Sequence, residues 1–226
     1  MASSRIDKLL NANVISKTEF AVRNAKDKSV HGQILEGAKG QQAAILKEDA
    51  KAGLVPGFDP DDPNMQRMMS KLDLVDSLCG QIDRHGGNFF IDTDKTGRVT
   101  SVTGIDNDMA FGTTNFTPGK STVESTEYSG IGKYIDEETG EAILKLTADD
   151  LHAVLDDLLL PNEVAAAVER LTATQAIIQT AKEQGRLIGP EAWGKHTAGV
   201  GGAMHGLKTT SGYHANVFHQ KPNVRT

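Results

Sequence analysis

The chain has 226 residues, of which 38% are hydrophobic and 24% charged, and it carries a formal charge of −6. This length fits one large domain or two small lobes with a real core. No nucleic-acid partner is expected, because a strong basic excess is absent and aromatic residues make up only 5%. The lone Cys79 excludes an intramolecular disulfide framework and a cysteine-rich zinc site.

The first residues do not resemble a targeting segment. Met1–Leu10 contains Arg5, Asp7 and Lys8, so the apolar run of a signal peptide is missing. The longest apolar stretches, such as Leu158–Leu160, are too short to cross a bilayer. The sequence therefore predicts a protein without a membrane span, either cytoplasmic or secreted without a cleaved signal peptide.

The N-terminal quarter predicts a short helix and two strands. Apolar residues at i, i+3 and i+4 spacing favour a helix over Ser4–Val14. Strand-like runs follow over Ile15–Val22 and Val30–Leu35, with turn residues between them. Three prolines and a glycine make Leu54–Asn64 a loop, and this loop is the best boundary between a small first part and a larger second part.

The second part begins with a helix that leads into a hairpin. The helix covers about Asn64–Cys79, with Cys79 read as a buried small hydrophobe. Strands are predicted over Asn88–Asp92 and Arg98–Ile105, joined by a polar turn. Residues 112–142 are polar and contain glycine, which predicts a loop.

Two helices and a tail complete the chain. Thr147 is a candidate N-cap for a helix over 148–160, and Pro161 begins another over about 161–184. From residue 195 onward the sequence is rich in Gly and His and lacks periodicity, so it predicts a flexible tail. The spacing of the tail histidines matches no metal motif, and solvated side chains are expected there.

Two polar clusters lie at the two ends of the predicted hairpin. Asp83, His85 and Asn88 lie at the start of the first strand, and Asp106 and Asp108 follow the second. Because a hairpin brings these ends together, we expect the three carboxylates and the Asn88 amide to converge. Such oxygen ligands suit Mg²⁺ or Mn²⁺ with phosphate oxygens completing the shell. Phosphoryl transfer needs this set, namely one carboxylate for the attacking hydroxyl and an amide with a second carboxylate for metal.

These clusters resemble two motifs of the phosphoinositide-kinase-like branch of the protein and lipid kinase superfamily. Asp83–Asn88 reads D-R-H-G-G-N, similar to the catalytic D-R-H-x-x-N loop, and Ile105–Asp108 reads I-D-N-D, similar to the metal motif. The continuation to Gly112 is also similar to type II phosphatidylinositol 4-kinases and secretory-pathway kinases. Several bacterial effector kinases share this reduced plan.

The resemblance implies a role for each matching residue and a need for ATP with Mg²⁺ or Mn²⁺. Asp83 would be the catalytic base, and His85 would act beside it or would serve as a structural histidine. Asn88 and Asp106 would bind metal. Asp108 occupies a position where the family usually has glycine, and it could be a second ligand or could rigidify the loop.

The resemblance also implies an α+β, kinase-like fold with a hinge. Glu36, Gly37 and Ala38 follow the last predicted N-lobe strand, where backbone atoms would bind adenine. The segments expected are a partial N-lobe with hinge over 1–50, a linker loop over 51–63, a mainly helical C-lobe with the catalytic β-hairpin over 64–194, and the tail over 195–226.

One feature of the family pattern is missing. A kinase N-lobe carries a glycine-rich loop and a strand lysine ahead of its first helix, whereas this chain begins with the helix. Three explanations stay open: a truncated product, a second chain that supplies the missing part, or a degenerate kinase. We expect a phosphotransferase acting on a lipid or protein hydroxyl, or else an inactive remnant that binds a nucleotide or partner. A third interpretation, a secreted bacterial effector that acts on a host lipid or protein, rests on analogy of fold alone.

One further motif has a plain interpretation. Asp92–Gly97 imitates the start of a calcium-binding EF-hand loop, but the twelfth position is Thr103 rather than glutamate and strands flank it. A hairpin turn is therefore the expected structure of this segment.

Overall fold

The computed structural model describes residues 1–25, 28–55, 59, 61–113 and 130–197. Helices and small sheets are mixed, which confirms the α+β class. None of the helices in these ranges is both long and apolar enough to cross a membrane. In chain order the elements are α1 (Ala2–Leu10), β1 (Thr18–Ala25), β2 (Lys28–Leu35), β3 (Gln41–Gln42), α2 (Ala43–Lys51), α3 (Pro63–Cys79), β4 (Phe89–Thr93), β5 (Val99–Gly104), β6 (Ile135–Asp136), α4 (Glu137–Lys145), α5 (Ala148–Leu155), α6 (Pro161–Glu183), β7 (Leu187–Ile188) and a 3₁₀ turn (Pro190–Ala192).

Helix α3 forms where the sequence predicts it, and local signals fix both ends. The Asp62 carboxylate caps its N-terminus by accepting from the backbone N–H groups of Asn64 and Met65, while Pro63 needs no donor partner there. Gly80 ends the helix in the left-handed conformation, with φ 64°. Helix α3 is buried along most of its length and packs against α1, α6 and β5, so it is the centre of the core.

The C-terminal helices also follow their predicted signals in part. Thr147 caps α5 in a reciprocal arrangement with Asp150, and Pro161 begins α6. Helix α5 ends at Leu155 rather than at the expected residue 160, because the chain turns there and the Leu158 N–H donates to the Leu155 carbonyl.

Other predicted boundaries and segments were also wrong. Helix α1 ends at Leu10, not Val14, because Asn11 adopts a left-handed φ of 51°. The first strand begins at Thr18 rather than Ile15. The predicted loop over 112–142 contains β6 and α4, where Asp136 caps the helix through the Thr139 N–H. Residues 114–129 of that segment lie outside the described residues.

Two hairpins have opposite environments. Strands β4 and β5 pair antiparallel with β3 at their edge, and the side chains of Phe89, Ile91 and Val102 are buried beneath them. Strands β1 and β2 pair with each other in a separate sheet and contact chiefly one another. The β4–β5 hairpin, packed on α3, is the one that carries the polar clusters.

Candidate functional site

A buried glutamine joins the two predicted clusters. Gln81 follows α3, and its side-chain oxygen accepts from the Asp83 N–H at 3.0 Å. The Gln81 amide nitrogen donates to the backbone carbonyl of Asp106 at 3.1 Å. One side chain therefore fixes the backbone of both acidic residues, and it does so from a fully buried position.

Arg84 forms a second, stronger connection. Its guanidinium is 1% exposed and makes a bidentate ion pair with the equally buried Asp76, at 2.8 and 2.9 Å. The same group donates to the carbonyls of Asn88 and Ile105 at 2.5 and 2.7 Å. It also donates to the side-chain oxygen of Asn107 at 2.5 Å. Arg84 thus links α3, the first cluster and the second cluster, and we call these five residues the Arg84 network.

Asp83 and Asn88 contact each other directly. The Asn88 amide nitrogen donates to the Asp83 carbonyl at 2.9 Å and to the Asp83 carboxylate at 3.2 Å. This leaves the Asn88 Oδ1 atom as the ligand that the side chain can offer to a cation. The hairpin ladder continues to the other cluster, because the Ile105 N–H donates to the Asn88 carbonyl at 2.9 Å.

Asp106 lies in a concentration of negative charge. Its backbone is left-handed, with φ 51°, and its side chain is exposed. Partial loss of hydration, the charge of Asp108 and a hydrogen bond with Asp108 raise the pKa of Asp106, and the Asp83 charge adds to this. The Asp83 charge of the first cluster therefore acts on Asp106 of the second.

His85 lies beside Asp83 in the neutral form. Burial lowers the pKa of His85, against the opposing effect of the Asp83 charge. The Gly87 N–H donates to His85 Nδ1 at 3.0 Å, which places the proton of the neutral ring on Nε2. That Nε2 atom is 3.8 Å from the Asp83 carboxylate. A Cβ at Gly87 would come within 2.9 Å of the imidazole, so the ring position requires glycine there.

The side chains of this cluster do not by themselves supply a full set of ligands for a divalent cation. Across the described ranges, no three His, Cys, Asp or Glu side chains are grouped as a metal site. The hard ligands present are the carboxylates of Asp83, Asp106 and Asp108 and the Asn88 amide oxygen. Mg²⁺ is commonly held by one or two carboxylates with water and phosphate oxygens, so its binding does not require three grouped side chains.

The predicted hinge lines a cavity of its own. Glu36, Gly37 and Ala38 border a space of about 290 Å³, opposite Ser101 and Thr103 of β5. The backbone of Glu36 is already engaged, since its N–H donates to the Lys17 carbonyl at 2.9 Å and its carbonyl accepts from the Ser16 hydroxyl at 2.5 Å. Both backbone hydrogen-bonding groups of Glu36 therefore already have partners within the chain.

Two other sequence features have structural explanations. The Asp94 carboxylate accepts from Thr96 and from the Arg98 N–H within the turn between β4 and β5, as the hairpin-turn interpretation predicts. Burial raises the pKa of Cys79 to about 12, which removes thiolate character and agrees with its expected role in the core. The histidines at 205, 214 and 219 lie outside the described residues.

Neither a scan of protein-family models nor a search of curated proteins finds a match for this chain. The arrangement of its own residues is therefore the basis for any functional conclusion.

The sequence reasoning missed the residues that hold the site together. Gln81, Arg84, Asp76 and Asn107 were not predicted to have a role, although Arg84 and Asn107 lie within the two motifs. One signal was available for Asp76. It occupies an inward-facing position of α3 between Val75 and Leu78, where a charged side chain needs a buried partner.

Proposed function

We propose that this chain is an ATP- and Mg²⁺-dependent phosphotransferase of the kinase-like class, acting on a lipid or protein hydroxyl. The proposal is carried by one observation: Asp83, Asn88 and Asp106 are held at one end of the β4–β5 hairpin by Gln81 and Arg84. The order of α1, the β1–β2 hairpin, the segment at Glu36–Ala38, β3, α2, α3, a polar loop and the β4–β5 hairpin supports a kinase-like fold. The cavity bordered by Glu36, Gly37 and Ala38 supports a nucleotide site.

Each polar residue has a chemical role in this proposal. The Asp83 carboxylate orients the acceptor hydroxyl and takes its proton as the acceptor oxygen bonds to the γ-phosphorus of ATP, while the bond from that phosphorus to the β–γ bridging oxygen breaks and ADP leaves. Asn88 holds that carboxylate in place through its amide nitrogen. His85 faces Asp83 with its Nε2–H and is a positioning residue. Asn88 and Asp106 would hold Mg²⁺, which neutralises charge on the transferred phosphoryl group.

A second candidate is an inactive remnant that binds a nucleotide or a protein partner. The sparse metal donor set among the described residues favours this alternative.

The test compares phosphate transfer and nucleotide binding in the same preparations. The intact chain is incubated with radiolabelled ATP, Mg²⁺ and mixed protein and lipid acceptors, and its thermal melting is followed with and without MgATP. Asp83→Asn should reduce transfer by roughly 10²–10⁴-fold and leave the melting shift intact. Asp106→Asn should reduce both the transfer and the Mg²⁺-dependent part of the shift.

The matched control is Asp149→Asn, which removes an exposed carboxylate in the first turn of α5. It should behave like the unmodified chain in both measurements. A melting shift without any transfer would favour the remnant, and the absence of both would contradict the nucleotide site itself.

A further inference from the structure

A second cavity borders the loop that follows β5. It has a volume of about 270 Å³, and Asn107 and Asp108 form one wall. Leu158 and Leu159, in the turn between α5 and α6, and Phe111 also line it. The cavity lining therefore combines apolar side chains with polar groups that include Asn107 and Asp108.

The charged groups that line this cavity are mainly acidic. Asp108 and Glu163 contribute carboxylates, and Asp106 lies two residues from Asp108. The Met1 amine also borders the cavity, but burial lowers its pKa and so disfavours its cationic form. A phosphorylated headgroup would be repelled here, whereas a basic side chain would be attracted.

An exposed apolar surface continues from this cavity along the β1–β2 hairpin. Gln33 of β2 borders the cavity and pairs directly with Phe20 of β1, so both side chains lie on one face. Val22 and Leu35 share that face by the same register. Phe20 is 58% exposed, Val22 49% and Leu35 55%, although large apolar side chains are rarely left so exposed together.

We propose that the face with Phe20, Val22 and Leu35, together with the second cavity, binds a basic and partly apolar segment of the protein that carries the acceptor hydroxyl. This inference rests on the proposed phosphotransferase function and specifies its substrate class. The extended hairpin face suits a peptide better than a headgroup, because eight-residue strands span about 25 Å. The carboxylates of Asp108 and Glu163 in the second cavity select basic residues next to the acceptor hydroxyl.

The test measures binding without nucleotide. The probes are serine-centred peptides of equal length and apolar content whose flanking residues run from all lysine to all glutamate, and vesicles that contain phosphorylated inositol lipid. The lysine peptides should bind about fivefold tighter than neutral ones, as expected for two partly exposed ion pairs. The preference should weaken at high salt.

Two pairs of variants assign the effect to this surface. Glu163→Gln keeps the acceptor that caps the Leu160 N–H and should reduce the lysine preference. Glu183→Gln is its control on the same helix, about 30 Å along the axis. Phe20→Ser should weaken binding of every peptide, whereas Ile34→Ser, on the opposite face of the hairpin, should not.

The outcomes separate this inference from the proposed function. Binding that ignores peptide charge, favours the glutamate peptides or favours the lipid vesicles overturns the inference, even if the chain transfers phosphate. A lysine preference that depends on Glu163 and Phe20, in a chain that never transfers phosphate, supports the binding surface and contradicts only the proposed reaction.

Discussion

The two hairpins of this molecule have the same secondary structure and opposite relations to the core. The β4–β5 hairpin buries Phe89 and Ile91 and packs on α3 through β5, and Arg84 donates hydrogen bonds to the carbonyls of Asn88 and Ile105 at its two ends. The β1–β2 hairpin leaves Phe20 and Ile34 exposed and pairs with itself. The comparison separates a hairpin whose residues are held in position by buried contacts from one whose large apolar side chains face solvent.

The largest effect should come from the Arg84 network. Arg84→Met leaves the buried Asp76 carboxylate without its partner and removes the donor to two carbonyls. We expect a loss of about 3–5 kcal/mol in the free energy of unfolding, measured by urea denaturation.

The control is the more exposed ion pair between Arg5 and Asp157. Arg5→Met should cost less than about 1 kcal/mol, because water screens that pair. Equal losses for the two variants would mean that Arg84 contributes no more than a surface charge, and the idea of a rigid hairpin would then be wrong.

One glycine in the second strand of each hairpin gives a second comparison of the two environments. A Cβ at Gly104 of β5 would lie 2.9 Å from Leu72 and 3.0 Å from Ile15, so Gly104→Ala should cost about 1–3 kcal/mol. A Cβ at Gly32 of β2 meets nothing within 4 Å. Gly32→Ala should therefore be neutral or stabilising by up to about 1 kcal/mol. Urea denaturation of both variants tests the comparison, and a costly Gly32→Ala would contradict the open environment of β1–β2.

The sequence predicts the elements better than it predicts their environment. Periodicity, caps and turn residues suffice for α3, both hairpins and α6, because those signals are local. The network around Arg84 depends on which helix lies under which hairpin, and no local pattern encodes that packing. Helix α4 was missed for a related reason: its apolar residues are few, and Gly140 is buried against Leu187, which is distant in sequence.

A third prediction uses pH to probe the rigid hairpin. Burial lowers the pKa of His85, so the unfolded chain binds a proton more readily than the folded one as the pH falls. The stability due to the neutral ring is present above the ordinary histidine pKa of about 6.5 and is lost as the pH falls through the lower folded pKa. Urea denaturation at pH 7 and pH 5 should show this loss, together with NMR titration of the ring protons. His85→Gln should remove that part of the pH dependence, and a ring that titrates above the ordinary value would contradict the burial argument.

The smallest effect is expected on the exposed hairpin. Phe20→Ser and Ile34→Ser remove large apolar side chains that are mostly in water in the folded chain, so each should change the free energy of unfolding by no more than about 0.5 kcal/mol. Urea denaturation of both variants checks this. If neither variant changes the free energy of unfolding and only Phe20→Ser weakens peptide binding, the loss of binding is due to the hairpin face that carries Phe20 and not to a change in the fold. A large loss of stability from Phe20→Ser would mean that this face is covered by the chain itself, and it would remove the distinction between the two hairpins.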